Sequence, residues 1–439
     1  MRWMRWKLRG AVLLIWAGSA AAAPDDLPRE VLLLAHFKER IRQVLAQVPN
    51  YTCLETIQRS AMAGHANTFS PLDTVLLEVS TVGDKELLAW PGARQFEDAD
   101  ISSFAGRGLM GSGIFAMHAR NVFLRETTTI RYFGDEEMEG RPVARFDFRV
   151  PEAWSGYQIQ ANGASAKVGT SGSFWIDPDS LELMRMEVRA DEIPAALGIE
   201  RTGTLIDYAR MRIGDADALL PQDAQLVLRL VSGEVLRNEI QFSHCHEYRT
   251  ESTIRFDMPN PSPSAAAPAA RRVDLPAGLT VSIELETAID SSTAHVGDLL
   301  RGHVTNDVRR KGKAIIIPKG AIVTGRIRGL ERLTSSKPGF DLTIELADLE
   351  WENTIAEFYG EFLPADSGPV EDSMLNLPSI GGGVPALPPP AAAIGRAVHA
   401  AEIPGTGVLH MKGAQFHIHP GLRMNWRTLE PNRRLKKWK

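Results

Sequence analysis

Four stretches of the 439-residue chain carry residue types that could do chemistry. Gly106-Arg107-Gly108-Leu109-Met110-Gly111 fits G-x-G-x-x-G. A dinucleotide site needs a strand entering the first glycine and an acidic residue about 20 positions later. Here the run follows FEDADISSFA, so it reads as a flexible loop leading into a helix over 114–123, or as a lid over a cavity. Gly169-Thr170-Ser171-Gly172-Ser173 lacks the last glycine of G-x-S-x-G, and Gly111-Ser112-Gly113 lacks the first. His417 and His419 would share one face of a strand, where His410 could join them as three imidazoles for zinc. His244 and His246 repeat that spacing around Cys245, so the spacing arises easily in alternating strands, and surface or turn histidines are the expectation. No catalytic residue, metal ligand or cofactor follows from these motifs.

Cysteine is more informative. The chain has two, Cys53 in NYTCLETIQ and Cys245 in FSHCHEYRT. Both lie in alternating runs, and neither belongs to a C-x-x-C motif. In an oxidising compartment the simplest reading is one disulfide joining the first strand of a domain to its last; two reactive thiols are the rival.

The compartment is read from the N-terminus. Arg2, Arg5, Lys7 and Arg9 precede a short apolar run, Gly10 to Ala22, and small residues at 19–23 offer a cleavage site. A spanning helix needs about 20 apolar residues, and no cysteine follows the apolar core as a lipoprotein acceptor. A cleaved signal peptide over 1–23 and a periplasmic or secreted product are therefore expected. Loss of those four charges takes the balance from 49 basic and 54 acidic residues to 45 and 54, near −9. That balance argues against nucleic acid as the partner. The last eight residues, NRRLKKWK, carry five positive charges. They form a solvated tail, or one that touches anionic membrane or wall polymer.

These elements must be positioned by about 415 mature residues, enough for two or three cores. PNPSPSAAAPAARR, 259–272, reads as a stiff extended linker between a first domain, 24–258, and a second, 273–439. The first opens with apolar residues at spacings of three and four from Val31 to Val48, a helix stopped by Pro49. Eleven strand-like runs follow between 51 and 242, separated by turn signals such as Glu139-Gly140 and Ser232-Gly233. Helix plus a large antiparallel sheet is the expected picture.

Two resemblances refine it. Phe174-Trp175-Ile176-Asp177-Pro178 followed by Leu181 to Met186 is similar to a hairpin of the periplasmic lipoprotein-carrier and lipoprotein-sorting family. This likeness implies a curved half-barrel wrapped on helices around an apolar cavity. Residues 276–330, carried by Leu275 to Gly278, Thr287 to Ser291, Val304 to Val308, Gly312 and Ile317 to Gly325, resemble the periplasmic β-barrel of type IV secretion and conjugation scaffold proteins. That likeness implies a small closed barrel ending in the strands around IHPGLRMNW. Between those runs, 364–405 holds LPSIGGGVPALPPPAAAIG, which cannot sustain the membrane-crossing helices of that family and should be a disordered loop.

The fold class expected is mainly β (α+β): a curved antiparallel half-barrel with helices, then a small closed barrel. The leading functional reading is a non-catalytic envelope protein that binds other envelope proteins. Its alternative is a carrier of a lipid or lipoprotein acyl chain, and an enzyme comes third.

Overall fold

The computed structural model describes residues 27–83, 85–93, 95–97, 104, 115–161, 164–248, 271–309, 315–333, 338–363 and 405–430. The signal segment, the Gly106 to Gly111 loop, all of the linker before Arg271, most of the 364–405 run and the basic tail lie outside them.

The first helix, α1 (Arg29–Gln47), buries Phe37, Ile41 and Leu45, one stripe at spacings of four. It is followed by β1 (Tyr51–Met62), β2 (Ser70–Val82), β3 (Lys85–Ala89), a second helix α2 (Phe115–Phe123), β4 (Thr129–Met138) and β5 (Arg141–Val150). A small hairpin, β6 (Gln158–Ala161) and β7 (Ala164–Lys167), precedes β8 (Gly169–Ile176), β9 (Leu183–Asp191), β10 (Ile199–Ile213), β11 (Ala216–Leu230) and β12 (Val235–Glu247). Ten of these strands form one antiparallel sheet in the order β3-β2-β1-β12-β11-β10-β9-β8-β5-β4. Strands β8 to β12 run as a meander, and β1 pairs with β12, so the first and last strands of this region meet inside the sheet. The expected W-I-D hairpin is β8–β9, with the Asp177 carboxylate accepting from the N–H groups of Asp179 and Ser180 in the turn.

The sheet has two chemically different faces, as alternation requires. On one, Ile57, Leu77, Phe146, Phe174, Met186, Ile206 and Ile240 pack against Phe37 and Ile41 of α1 and Phe123 of α2. Phe37 and Phe146 both stack on Phe174, while Phe123 meets it edge-on. On the other face arginines and carboxylates cross between strands: Arg145 with Glu136, Arg185 with Asp207, and Arg210 with Glu182.

The second region contains β13 (Arg271–Val273), β14 (Thr280–Leu285), β15 (Ile289–Asp290), β16 (Leu299–Val304), β17 (Val308–Arg309), β18 (Ile315–Ile317), β19 (Ile322–Leu333), β20 (Gly339–Trp351), β21 (Thr354–Glu357), β22 (Gly360–Leu363), β23 (Thr406–Lys412), β24 (His417–Ile418) and β25 (Arg423–Thr428), of which β15 with β24 and β17 with β18 form separate two-stranded ladders. Nine strands pair in the order β13-β21-β20-β19-β16-β14-β25-β22, with β23 added beside β20. Arg271 and Arg272, counted with the linker from sequence, pair with Thr354 and Ile355 as part of β13.

This sheet curls around the fully buried Trp426 until β22 lies beside β23, Phe362 against Gly407. The described ladders do not bridge that seam, so the sheet curls as a small barrel does without a hydrogen-bonded closure among the described residues. The backbone of β22 is committed to β25, and the strand stops where the Pro/Gly-rich run begins.

The two sheets share one apolar cluster, from Phe37 through Val75 to Val281 and Trp426. The first part of β2, which β3 leaves unpaired because it reaches only Glu78–Val82, is covered by Val296, whose N–H donates to Thr74 O and whose carbonyl accepts from Leu76 N, both at 2.9 Å. Gly297 follows with φ +108°, and a Cβ there would sit 2.7 Å from Leu76 O and 3.0 Å from the Trp90 ring, so glycine permits the approach. Arg328 lies 4.9 Å over the same Trp90 ring.

Candidate functional site

Strand β1 decides what the helix-covered face offers. Tyr51, Cys53, Glu55, Ile57 and Arg59 alternate onto one side of it and all are buried. Two of the five are ionisable groups placed where apolar side chains belong.

Arg59 is met by Asp73, directly opposite on β2, through a two-pronged contact of Nε to Oδ1 and Nη2 to Oδ2. Their side chains are 7% and 6% exposed, and Asn238 faces Arg59 from β12. Glu55 sits four residues earlier, opposite Leu77 on β2 and Phe242 on β12. It is 0% exposed, and neither carboxylate oxygen has a hydrogen-bond partner among the described residues. Burial, with Glu86 adding like-charge repulsion, holds its carboxyl well above the usual range, which favours the protonated, neutral form. At the start of β1 lies a small cavity with about 10 Å³ for the centre of a water molecule, lined in part by Tyr51, Cys53, Thr81 and Phe242.

Replacing Glu55 by leucine is expected to stabilise the fold by about 1–3 kcal/mol at low pH, where the carboxyl is neutral folded and unfolded, because an unsatisfied polar group leaves the core. A folded pKa raised above the unfolded value gives stability that is complete below about pH 4.3 and is lost as pH rises toward the folded value. The gap between Glu55→Leu and wild type should therefore widen from pH 4.5 upward, by at most about 1.4 kcal/mol per pH unit. Urea titrations at pH 5 and pH 8 measure it; equal gaps at both would show that Glu55 keeps its unfolded pKa.

Other polar groups on the covered side follow the same logic. His118 on α2 is buried beside Tyr157, ring centroids 5.4 Å apart, and burial lowers it to about 4. Burial pushes the Tyr208 and Tyr157 hydroxyls up. Each is therefore uncharged near neutrality.

The motifs singled out from sequence disperse. Cys53 and Cys245 do form the disulfide, with Cα atoms 4.1 Å apart, at the bulge where β1 and β12 shift register. Ser173 is fully buried and donates to Asp147, while Ser171 donates to Asp191. His410 bonds Asp341 at 2.7 Å on the β20–β23 pair, whereas His417 bonds Asp290 at 3.0 Å and lies 4.3 Å, ring to ring, from His419. Hydrogen bonds from the hydroxyl and the N–H of Ser292, and then from His417, lower Asp290 to about 2. Among the described residues no group of three or more His, Cys, Asp or Glu could hold a metal ion. The ionisable pair within β1 was missed from sequence, although strict alternation from Cys53 would have pointed Glu55 and Arg59 inward.

No protein-family model matches the chain, and no curated protein matches it. Among solved structures it is similar to an outer membrane lipoprotein-sorting protein domain from Vibrio parahaemolyticus, at 13% identity and TM-score 0.29, covering 52% of this chain and 95% of that one. It is also similar to a LolA superfamily protein from Nitrosomonas europaea, at 9% identity and TM-score 0.25, over 51% of this chain and 97% of the other. A DUF1329 family protein from Desulfovibrio piger gives 11% identity and TM-score 0.26, over 52% and 95%.

Proposed function

We propose that the chain is a non-catalytic exported protein of the bacterial envelope. Its first region, 24–258, takes up an apolar ligand, a lipid or a lipoprotein acyl chain, between the ten-stranded sheet and its two helices. The observation that carries this reading is the helix-covered face itself. Apart from Glu55 and the Arg59–Asp73 pair it is apolar from Leu77 on β2 to Phe146 on β5, and it is covered by α1 and α2, which take no part in the sheet's ladders. Moving the helices would expose that face without breaking a strand pair. Ten strands at about 4.8 Å spacing span roughly 40 Å, against about 15 Å for one leaflet of a bilayer core. The face is long enough for an acyl chain.

A second reading, a module that binds envelope proteins, is supported by the filling of that face in this structure and by the outer strand β4, whose second edge is free among the described ladders. The second region, 273–439, would serve either reading as a docked body, with its basic tail available to anionic membrane or wall polymer. No helix among the described residues is long and apolar enough to cross a membrane.

Native mass spectrometry of the full mature chain, exported to an oxidising compartment and purified without detergent, tests the choice. Carriage predicts a stoichiometric extra mass that solvent extracts as lipid. A clean mass, with no fluorescence gain from an added apolar dye, would remove the carrier reading and direct the search to protein partners.

A further inference from the structure

The Glu55 carboxyl, buried in the core with no hydrogen-bond partner among the described residues, asks what would satisfy it. Native proteins rarely leave such a group unpaired, and each exception calls for a cause. Glu55 lies on the same side of β1 as Ile57, and Ile57 belongs to the cluster packed under α1 and α2. Its neighbours Cys53, two residues before, and Phe242, directly opposite, both line the small cavity at the start of the strand. A water-sized space is therefore bordered by two neighbours of the acid, Cys53 and Phe242, and not by Glu55 itself.

We propose that the Glu55 carboxyl is the polar anchor for an ester or amide carbonyl at the head of an acyl ligand. The inference rests on the carrier reading and specifies the ligand's chemistry. A protonated carboxyl offers one O–H donor and a carbonyl acceptor. An ester or amide oxygen accepts that O–H, and no charge needs to be desolvated on either side. The chain of such a ligand would follow the apolar face away from Glu55, past Ile57 and Ile240, towards Phe174. Arg59 does not compete for the anchor role, because Asp73 already engages it on two prongs.

Dodecane and methyl laurate differ by the ester, and both can be scored by displacement of N-phenyl-1-naphthylamine from the full mature chain. One neutral hydrogen bond corresponds to about a fivefold preference for the ester in wild type. Glu55→Gln keeps a neutral donor and should retain the preference; Glu55→Leu should bind both probes equally. A thermal melt of each variant verifies folding, and Glu55→Leu is expected to melt above wild type. Equal binding of the two probes to wild type, or an unchanged preference in Glu55→Leu, overturns the anchor while leaving the carrier intact. Loss of the preference in Glu55→Gln overturns a neutral donor. Failure of both probes to displace the dye from wild type overturns the carrier reading and the anchor together.

Discussion

Cys53→Ala combined with Cys245→Ser is expected to lower the unfolding free energy by about 3–5 kcal/mol, read as a fall in the urea midpoint. The pair joins residues 192 apart in sequence. In the chain-entropy model a loop of that length is worth about 5 kcal/mol, an upper figure. The β1–β12 ladder persists in the variant, with register pairs from Tyr51–Glu247 to Met62–Val235. Most of the loss therefore arises in the unfolded chain, which becomes free to expand. That origin predicts a steeper urea dependence together with the lower midpoint, because more surface is exposed on unfolding. A fall below about 1 kcal/mol would instead mean that the unfolded chain stays compact without the bond. Alanine suits position 53 because Cys53 packs with Tyr51, Ile213 and Leu220, where a serine hydroxyl would add a second cost.

The second large effect is expected at Asp73. Asp73→Ala strands a guanidinium that is 7% exposed without its carboxylate, and loss of one member of a buried pair costs about 3–5 kcal/mol. Replacing both members, Arg59→Met with Asp73→Leu, should recover most of that loss, since neither charge then has to be desolvated. If the single and the double variants are equally damaged, the cost lies in packing or in the other contacts of Arg59. Because the pair is buried, the loss should change little between low and high salt, unlike that of exposed pairs such as Arg29 with Asp135.

Much of the architecture was legible in the residues because it depends on local rules. Spacing of three and four places α1, and Pro49 marks its end within two residues. Alternation and turn chemistry place β1 to β3 and β8 to β12, and Asp177 makes the predicted turn through its own carboxylate. The disulfide was readable from cysteine number, compartment and position. Each of these is set by neighbours in sequence or by a covalent choice among very few partners.

The candidate site was less legible, since burial of Glu55 depends on three strands and on helices far away in sequence. Alternation fixes that Tyr51, Cys53, Glu55, Ile57 and Arg59 share a side of β1. It does not fix which side the helices cover, and a Glu–Arg pair in an alternating strand is usually the solvated one. The same limit applies to the second sheet. Val296-Gly297-Asp298 was readable as a turn, but its role as cover for the edge of β2 requires the Trp90 ring and the Leu76 carbonyl.

By itself the sequence determined the class of the fold, the first helix and the covalent link between β1 and β12. Only the tertiary structure decided which face is covered, that a carboxylic acid is enclosed there with no hydrogen-bond partner among the described residues, that Asp73 answers Arg59, and that both sheets share one core. Backbone geometry and side-chain period act over a few residues, whereas burial and electrostatic pairing are properties of surfaces that meet only after the chain has folded.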